Sequence, residues 1–179
     1  LHQLGGPSQN GADTVAWLLA VLGREAGDVG AAMESLLPGP RDPQPLLFLP
    51  YLQGERVPYW DPSLRGAFVG LNRRHGATDL AHAVLEGIAF QNRIVLERAE
   101  AATGRRVEEI RFGGGAASNA VWRQVKADVT GRTIAVGASR EPGILGAAIL
   151  AWTALGRCGS LAEAQDRPAP PPPRHGPPP

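Results

Sequence analysis

Apolar positions recur along this chain with two periods, and the change from one to the other marks out the elements. Over residues 12–23, Val15, Leu18, Leu19 and Leu22 fall on one side of a 3.6-residue helix, and Gly23 offers a stop. A second short helix is predicted over 28–37, ending before Pro38. Residues 38–45 carry four prolines and read as a linker or loop. Leu46–Leu49, closed by Pro50, is a short buried strand, and Ala67–Leu71 is a second strand. A long helix follows, with Thr78 as N-cap and Asp79 in its first turn. It carries Leu80, Ala83, Val84, Ile88 and Val95 at helical spacing to about Thr103 and stops at Gly104. Val107–Phe112 alternates apolar and polar residues as a strand does. A helix from near Asn119 to about Thr130, a strand Thr133–Val136 and a small-residue helix over 142–156 complete the pattern. In that last helix Gly146, Ala147 and Ala148 permit close approach of a neighbour. From Arg167 onward the sequence holds eight of the chain's 17 prolines, so 167–179 is expected to be a disordered or polyproline tail.

Three glycine-bearing connections stand out between these elements. GGPSQNG (5–11) leads into the first helix, and QGERVPYWDPSLRG (53–66) is a long irregular loop rich in polar and aromatic residues. Gly113-Gly114-Gly115-Ala116 joins a strand to a helix. Glycines there allow positive φ and close approach of a ligand, and the helix start offers free N–H groups, so a nucleotide can lie across the turn. The segment is neither GxGxxG followed by an acidic residue nor GxxxxGK[ST], so the dinucleotide-fold and P-loop readings lack their key residues. Asn119 is placed either to cap the helix or to hydrogen-bond an adenine edge.

Composition narrows the function classes. Hydrophobic residues make up 43% and charged residues 20%, ordinary for one globular domain with its own core. A net charge of +1 gives no general electrostatic case for nucleic acid or an anionic membrane. The basic residues are scattered arginines, with Lys126 the only lysine. Cys158 is the single cysteine, which precludes an intrachain disulfide or a cysteine metal site and fits a reducing cytoplasm. His2, His75, His82 and His175 lack metal-ligand spacing, and no apolar run approaches the ~18 residues of a membrane span. There is no signal-peptide pattern. The chain opens on Leu1 just before a motif, and the expectation is that a longer protein has an N-terminal part before it.

Four blocks, in order and at matching distances over about 5–165, resemble the FGGY carbohydrate kinases. They are GGPSQNGADTVAWLL (5–19), FLPYLQGERVPYWDPSLRG (48–66), GAFVGL with DLAHAVLE (66–86), and IRFGGGAASNAVWRQVKADVTG (110–131). EPGILGAAILA (141–151) fits as well. The third block matches the family signature at Gly66, Phe68, Gly70, Leu71, Asp79, Leu80, Ala83, Val84, Leu85 and Glu86. Several loop motifs are similar to xylulokinases, while VPYWDP and GIAFQNR are closer to glycerol kinases. The resemblance implies an α/β fold, an actin-like ATPase (ribonuclease H-like) domain incomplete at its N-terminal side. Residues 1–166 would be the partial nucleotide-binding domain and 167–179 the tail.

The same resemblance implies ATP-dependent phosphorylation of a sugar or polyol, with Mg²⁺ accompanying the phosphates. The general-base Asp and the phosphate-holding Ser/Thr-Gly turn belong upstream of Leu1, on the side that binds sugar. It places Gly114 and Gly115 beside the nucleotide and Asn119 near adenine. Ala12 and Ala16 approach from the first helix, where the family more often has Gly and a longer polar residue. A homodimer stays open. The alternative is a truncated nucleotide-binding module without catalytic activity. Structural roles are expected elsewhere: a hydrogen bond for Glu86, packing of helix on sheet for Trp122, and surface positions for Asp128, His75 and His82. Glu55, Arg56, Asp61 and Arg65 are expected to hold their loop by ion pairs, with Tyr59 and Trp60 packed against it.

Overall fold

A computed structural model describes residues 5–24, 29–137, 139 and 141–166; the proline-rich stretch 167–179 lies outside them. In chain order the elements are α1 (Ala12–Val21), α2 (Val29–Leu36), β1 (Leu47–Leu49), β2 (Ala67–Val69) and α3 (Ala77–Thr103). Then come β3 (Glu109–Phe112), a 3₁₀ turn (Gly115–Ser118), α4 (Ala120–Thr130), β4 (Thr133–Val136), α5 (Pro142–Ala154) and α6 (Leu161–Asp166). The 3₁₀ turn and α6 are additions to the pattern read from sequence.

The 27-residue α3 is the spine. Its start differs from expectation, because Gly76 is the N-cap and Thr78 lies inside the helix. The cap is made backwards by Asp79. Its Oδ2 accepts from the Gly76 N–H (2.8 Å) and its Oδ1 from the Asp42 N–H (2.8 Å). Those two bonds, the Gly76 one first, hold the Asp79 carboxyl below the usual carboxylate range. The helix ends as expected at Gly104, in the left-handed region at φ 64°.

One face of α3 buries Ala81, Val84, Leu85 and Ile88 completely against α1, α2 and β1. From α1 come Val15, Leu18 and Leu19, and from α2 Met33 and Leu36. Phe48 of β1 lies between Phe68, tilted against it (centroids 4.6 Å apart), and Trp17, stacked on it (6.0 Å). β1 is buried only on that side: Leu46 and Phe48 are enclosed while Leu47 and Leu49 are exposed, so the strand is half-buried. It pairs antiparallel with β2, Phe48 opposite Phe68. At Gly87 the helix meets β1 backbone to backbone, and a Cβ there would lie 2.4 Å from the Phe48 carbonyl oxygen.

The other pair is parallel, β3 on β4 with Ile110 opposite Ile134, joined through α4. Such a strand–helix–strand crossover places the 3₁₀ turn and the start of α4 at the C-terminal end of β3. Trp122 packs as expected, buried in α4 with its ring edge-on to Phe112. α5 departs from expectation. It has no buried residue, and beyond the neighbouring residues and backbone of its own helix no described atom lies within 4 Å of where a Cβ on Gly146 would sit.

The loop over 53–66 is held differently from the ion-pair reading. Glu55 is buried and accepts from the Ser8 hydroxyl (2.9 Å), the Gln9 N–H (2.7 Å), the Asn10 side-chain amide (3.3 Å) and the Arg56 N–H (2.8 Å). Asp61 accepts from the Ser63 N–H and hydroxyl, and Arg65 donates to the carbonyls of Pro62 and Leu64. Trp60 is exposed, whereas Tyr59, also at the surface, sets its ring edge-on to Tyr51 with centroids 5.7 Å apart. The carboxylate of this loop therefore bonds neutral donors, four of them, and ties residues 8–10 to the start of the loop. Glu86 pairs with Arg41 (2.9 Å). Asp128 is a surface residue as expected, accepting from Gln124. Neither His75 nor His82 is an exposed residue. The His75 ring is fully enclosed and bonded to the Asn72 N–H, and His82 lies near the Leu37 carbonyl.

Candidate functional site

The three consecutive glycines after β3 do three different jobs. A Cβ on Gly113 would meet Pro142 at 2.9 Å, so this glycine lets the start of α5 approach the strand end. Gly114 sits at φ 90°, ψ 178°, a backbone that L side chains avoid. Gly115 begins the 3₁₀ turn with nothing within 4 Å of an added Cβ, leaving its surroundings open. The glycine run therefore does not feed straight into α4; the 3₁₀ turn intervenes and Asn119 follows it.

Asn119 is the N-cap of α4, in extended backbone, and its Oδ1 accepts from the Trp122 N–H (2.8 Å). Of the two roles open to it from sequence, capping is thus present. It also removes one of the helix's free N–H groups. Asn119 is only 3% exposed, and its Nδ2 has no partner. The indole Nε1 of Trp122, one turn further, is likewise enclosed and unpartnered. Buried donors without acceptors are costly, so two in adjacent turns mark a place that lacks an acceptor-bearing group.

Both residues wall a cavity of about 400 Å³ that reaches across to the opening helices. α1 contributes Ala12, α2 contributes Met33, and the turn contributes Gly115 and Ala116. The structure therefore brings together Ala12, Gly115 and Asn119. Gly114 and Ala16 are not on the wall: Gly114 supplies the bend that presents Gly115, and Ala16 lies one turn further along α1. The α2 wall was missed in the sequence. Its only signal there is an apolar stripe, indistinguishable from core, and Met33 is core and wall at once. The wall is thus mostly apolar, and the residues bearing the two free donors are its polar members together with Ser118.

No helix among the described residues is long and apolar enough to cross a membrane. Among the same residues no three histidine, cysteine or carboxylate side chains gather as a metal site.

Residues 5–155 match the model of the "FGGY family of carbohydrate kinases, C-terminal domain". A glycerol kinase of Pseudomonas putida is 36% identical over 166 residues, covering 93% of this chain and 33% of that protein. Among solved structures, a ligand-bound xylulose kinase from Lactobacillus acidophilus superimposes with a TM-score of 0.72 at 32% identity, covering 89% of this chain and 32% of that one. A Plasmodium falciparum glycerol kinase with ADP gives 0.69 at 25% identity, covering 84% and 30%. The chain spans about one third of the length of the curated relatives it matches.

Proposed function

Because the chain belongs to the FGGY family of carbohydrate kinases, with the actin-like ATPase fold of its C-terminal domain, we propose that it supplies the adenine-nucleotide side of an ATP-dependent kinase acting on a sugar or polyol hydroxyl, in the manner of xylulokinases. Residues 1–166 are then the partial nucleotide-binding domain, and the sugar is held by an N-terminal domain that also carries the general base. Bound ATP would supply the transferable phosphoryl group, with Mg²⁺ offsetting the phosphate charge. A cytoplasmic location follows from this reading.

What supports it is the cavity between α1, α2 and α4 with its two unpartnered buried donors. Asn119 and Trp122 offer N–H groups to the ring acceptors of adenine, Met33 and Ala12 supply apolar faces, and the Gly114–Gly115 bend leaves room for the sugar and phosphates to pass. These groups bind and orient; none of them moves a proton. Asn119→Ala is expected to weaken ADP binding about fivefold, from the loss of one hydrogen bond worth about 1 kcal/mol. Titration calorimetry of ADP into the chain and its variant checks this, with Asn119→Asp as the control that keeps the cap acceptor but loses the amide donor. Equal affinity for all three proteins would reduce Asn119 to a helix cap.

A second reading rests on the cavity itself, whose wall carries no titratable side chain: the 179 residues by themselves hold a nucleotide without catalysing transfer. The 179-residue chain is then expected to release no ADP above background with ATP, Mg²⁺ and xylulose, glycerol or gluconate in a coupled assay. Turnover with any of them would sink this reading.

A further inference from the structure

The segment that leads into α1 is bonded at four successive residues to one short stretch of another loop, residues 54–57. The Pro7 carbonyl accepts from the Val57 N–H (3.4 Å). The Ser8 hydroxyl donates to Glu55 Oε2 (2.9 Å), and the Ser8 carbonyl accepts from the Arg56 guanidinium (3.2 Å). The Gln9 N–H donates to Glu55 Oε1 (2.7 Å). The Asn10 side-chain amide donates to the Gly54 carbonyl (2.8 Å) and to Glu55 Oε2 (3.3 Å). The two oxygens of Glu55 divide the task. Oε1 takes the backbone N–H groups of Gln9 and Arg56, and Oε2 takes the side chains of Ser8 and Asn10.

Residues 54–57 are tied in turn to the spine of the fold. Gln91 of α3 is buried; its Nε2 donates to the Val57 carbonyl (2.9 Å), and its Oε1 accepts from the Tyr51 hydroxyl (3.1 Å). A continuous run of hydrogen bonds thus joins α3 to residues 8–10. Beyond them the chain has one residue of slack. Gly11 is the N-cap of α1, its N–H on Asp13 Oδ1 (2.9 Å). Ala12, the first residue of the helix, already stands on the cavity wall, and Val15 follows it there one turn on. A displacement of residues 8–10 therefore passes into the wall. A binding site needs its walls held to about 0.5 Å by the shell behind them.

We propose that Glu55 is a positioning residue of the nucleotide site, an inference that rests on reading the cavity of Ala12, Gly115 and Asn119 as that site. Glu55 is not on the cavity wall. It acts through Ser8, Gln9 and Asn10, which set where α1 stands. Glu55→Ala, at a temperature where circular dichroism shows it folded, is expected to bind ADP about fivefold or more weakly than the unaltered chain, by titration calorimetry. Glu100→Ala is the matched control. Glu100 is another carboxylate that ties separate segments, accepting from the Val107 N–H (2.8 Å) and from Arg132 (3.0 Å) near the far end of α3. Its loss is expected to lower stability and leave the ADP affinity unchanged.

Coupling between the clamp and the cavity is reciprocal, which gives a measurement on the unaltered chain. ADP is expected to slow hydrogen exchange at the Gln9 and Arg56 N–H groups, both held by Glu55, more than at the Val107 N–H held by Glu100. This comparison decides the matter should Glu55→Ala fail to fold. Unchanged ADP affinity in Glu55→Ala, an equal loss in Glu100→Ala, or equal slowing at Val107 would each overturn the positioning role while leaving the cavity a nucleotide site. No ADP binding by the unaltered chain would remove the nucleotide reading, and the positioning role with it.

Discussion

Gly87→Val is expected to abolish the native structure, or to lower its stability by roughly 3 kcal/mol or more, in denaturant unfolding followed by circular dichroism. The position is buried and lies in mid-helix, where glycine ordinarily costs about 1 kcal/mol against alanine. Replacement would therefore look favourable by propensity alone. The geometry reverses the sign. A Cβ would sit 2.4 Å from the Phe48 carbonyl oxygen and 3.2 Å from its carbonyl carbon, both backbone atoms that cannot rotate away. Moving α3 off β1 would open the contact among Phe48, Phe68 and Trp17 and the interface around Leu85 and Ile88. Gly146→Ala in α5 is the matched control, because a helical glycine with open space around it gains helix propensity and meets nothing. It is expected to be neutral or mildly stabilising.

Glu55→Ala should cost about 3 kcal/mol, measured in the same way. Four donors converge on this one carboxylate, and it is 3% exposed. Truncation strands the Ser8 hydroxyl, the Gln9 and Arg56 N–H groups and part of the Asn10 amide. Each buried donor left open costs about 1 kcal/mol or more, less whatever water enters the gap. Glu55→Gln is expected to recover little, since its amide sets an NH₂ among groups that already donate. Asp61→Ala, by contrast, should change stability by less than about 1 kcal/mol, because its bonds are confined to neighbouring Ser63 at the surface. The two carboxylates are six positions apart, and only burial and partner count tell them apart.

That contrast shows where reading the chain succeeded. Periodic stretches with strong stops were legible: α3 ends at Gly104, β4 runs over Thr133–Val136, and α4 follows Asn119. These depend on local backbone preferences that the residues themselves carry. The Asp79 cap was misassigned to Thr78 because both residues suit a helix start, and the choice is made by Asp42, brought in from a distant loop. The enclosed His75 ring and the Glu55 knot both rest on partners far apart in sequence, for which periodicity has no signal. Of the candidate nucleotide residues, Gly115 and Asn119 were visible through the strand–glycine–helix order. Ala12 was visible only through likeness to a family, and Met33 through neither.

The wall of the cavity joins Ala12 to Gly115, roughly a hundred residues later in the chain. That is a large loop to close, whereas β3, α4 and β4 form within one short stretch. Closing that loop carries its entropy cost before any packing repays it, so this junction belongs among the last parts to assemble and the first to part. A molecule seated there would act as a clasp on the chain's own topology. Its binding energy would add directly to the free energy holding α1 against the glycine turn, so occupancy and folding would rise and fall as one quantity.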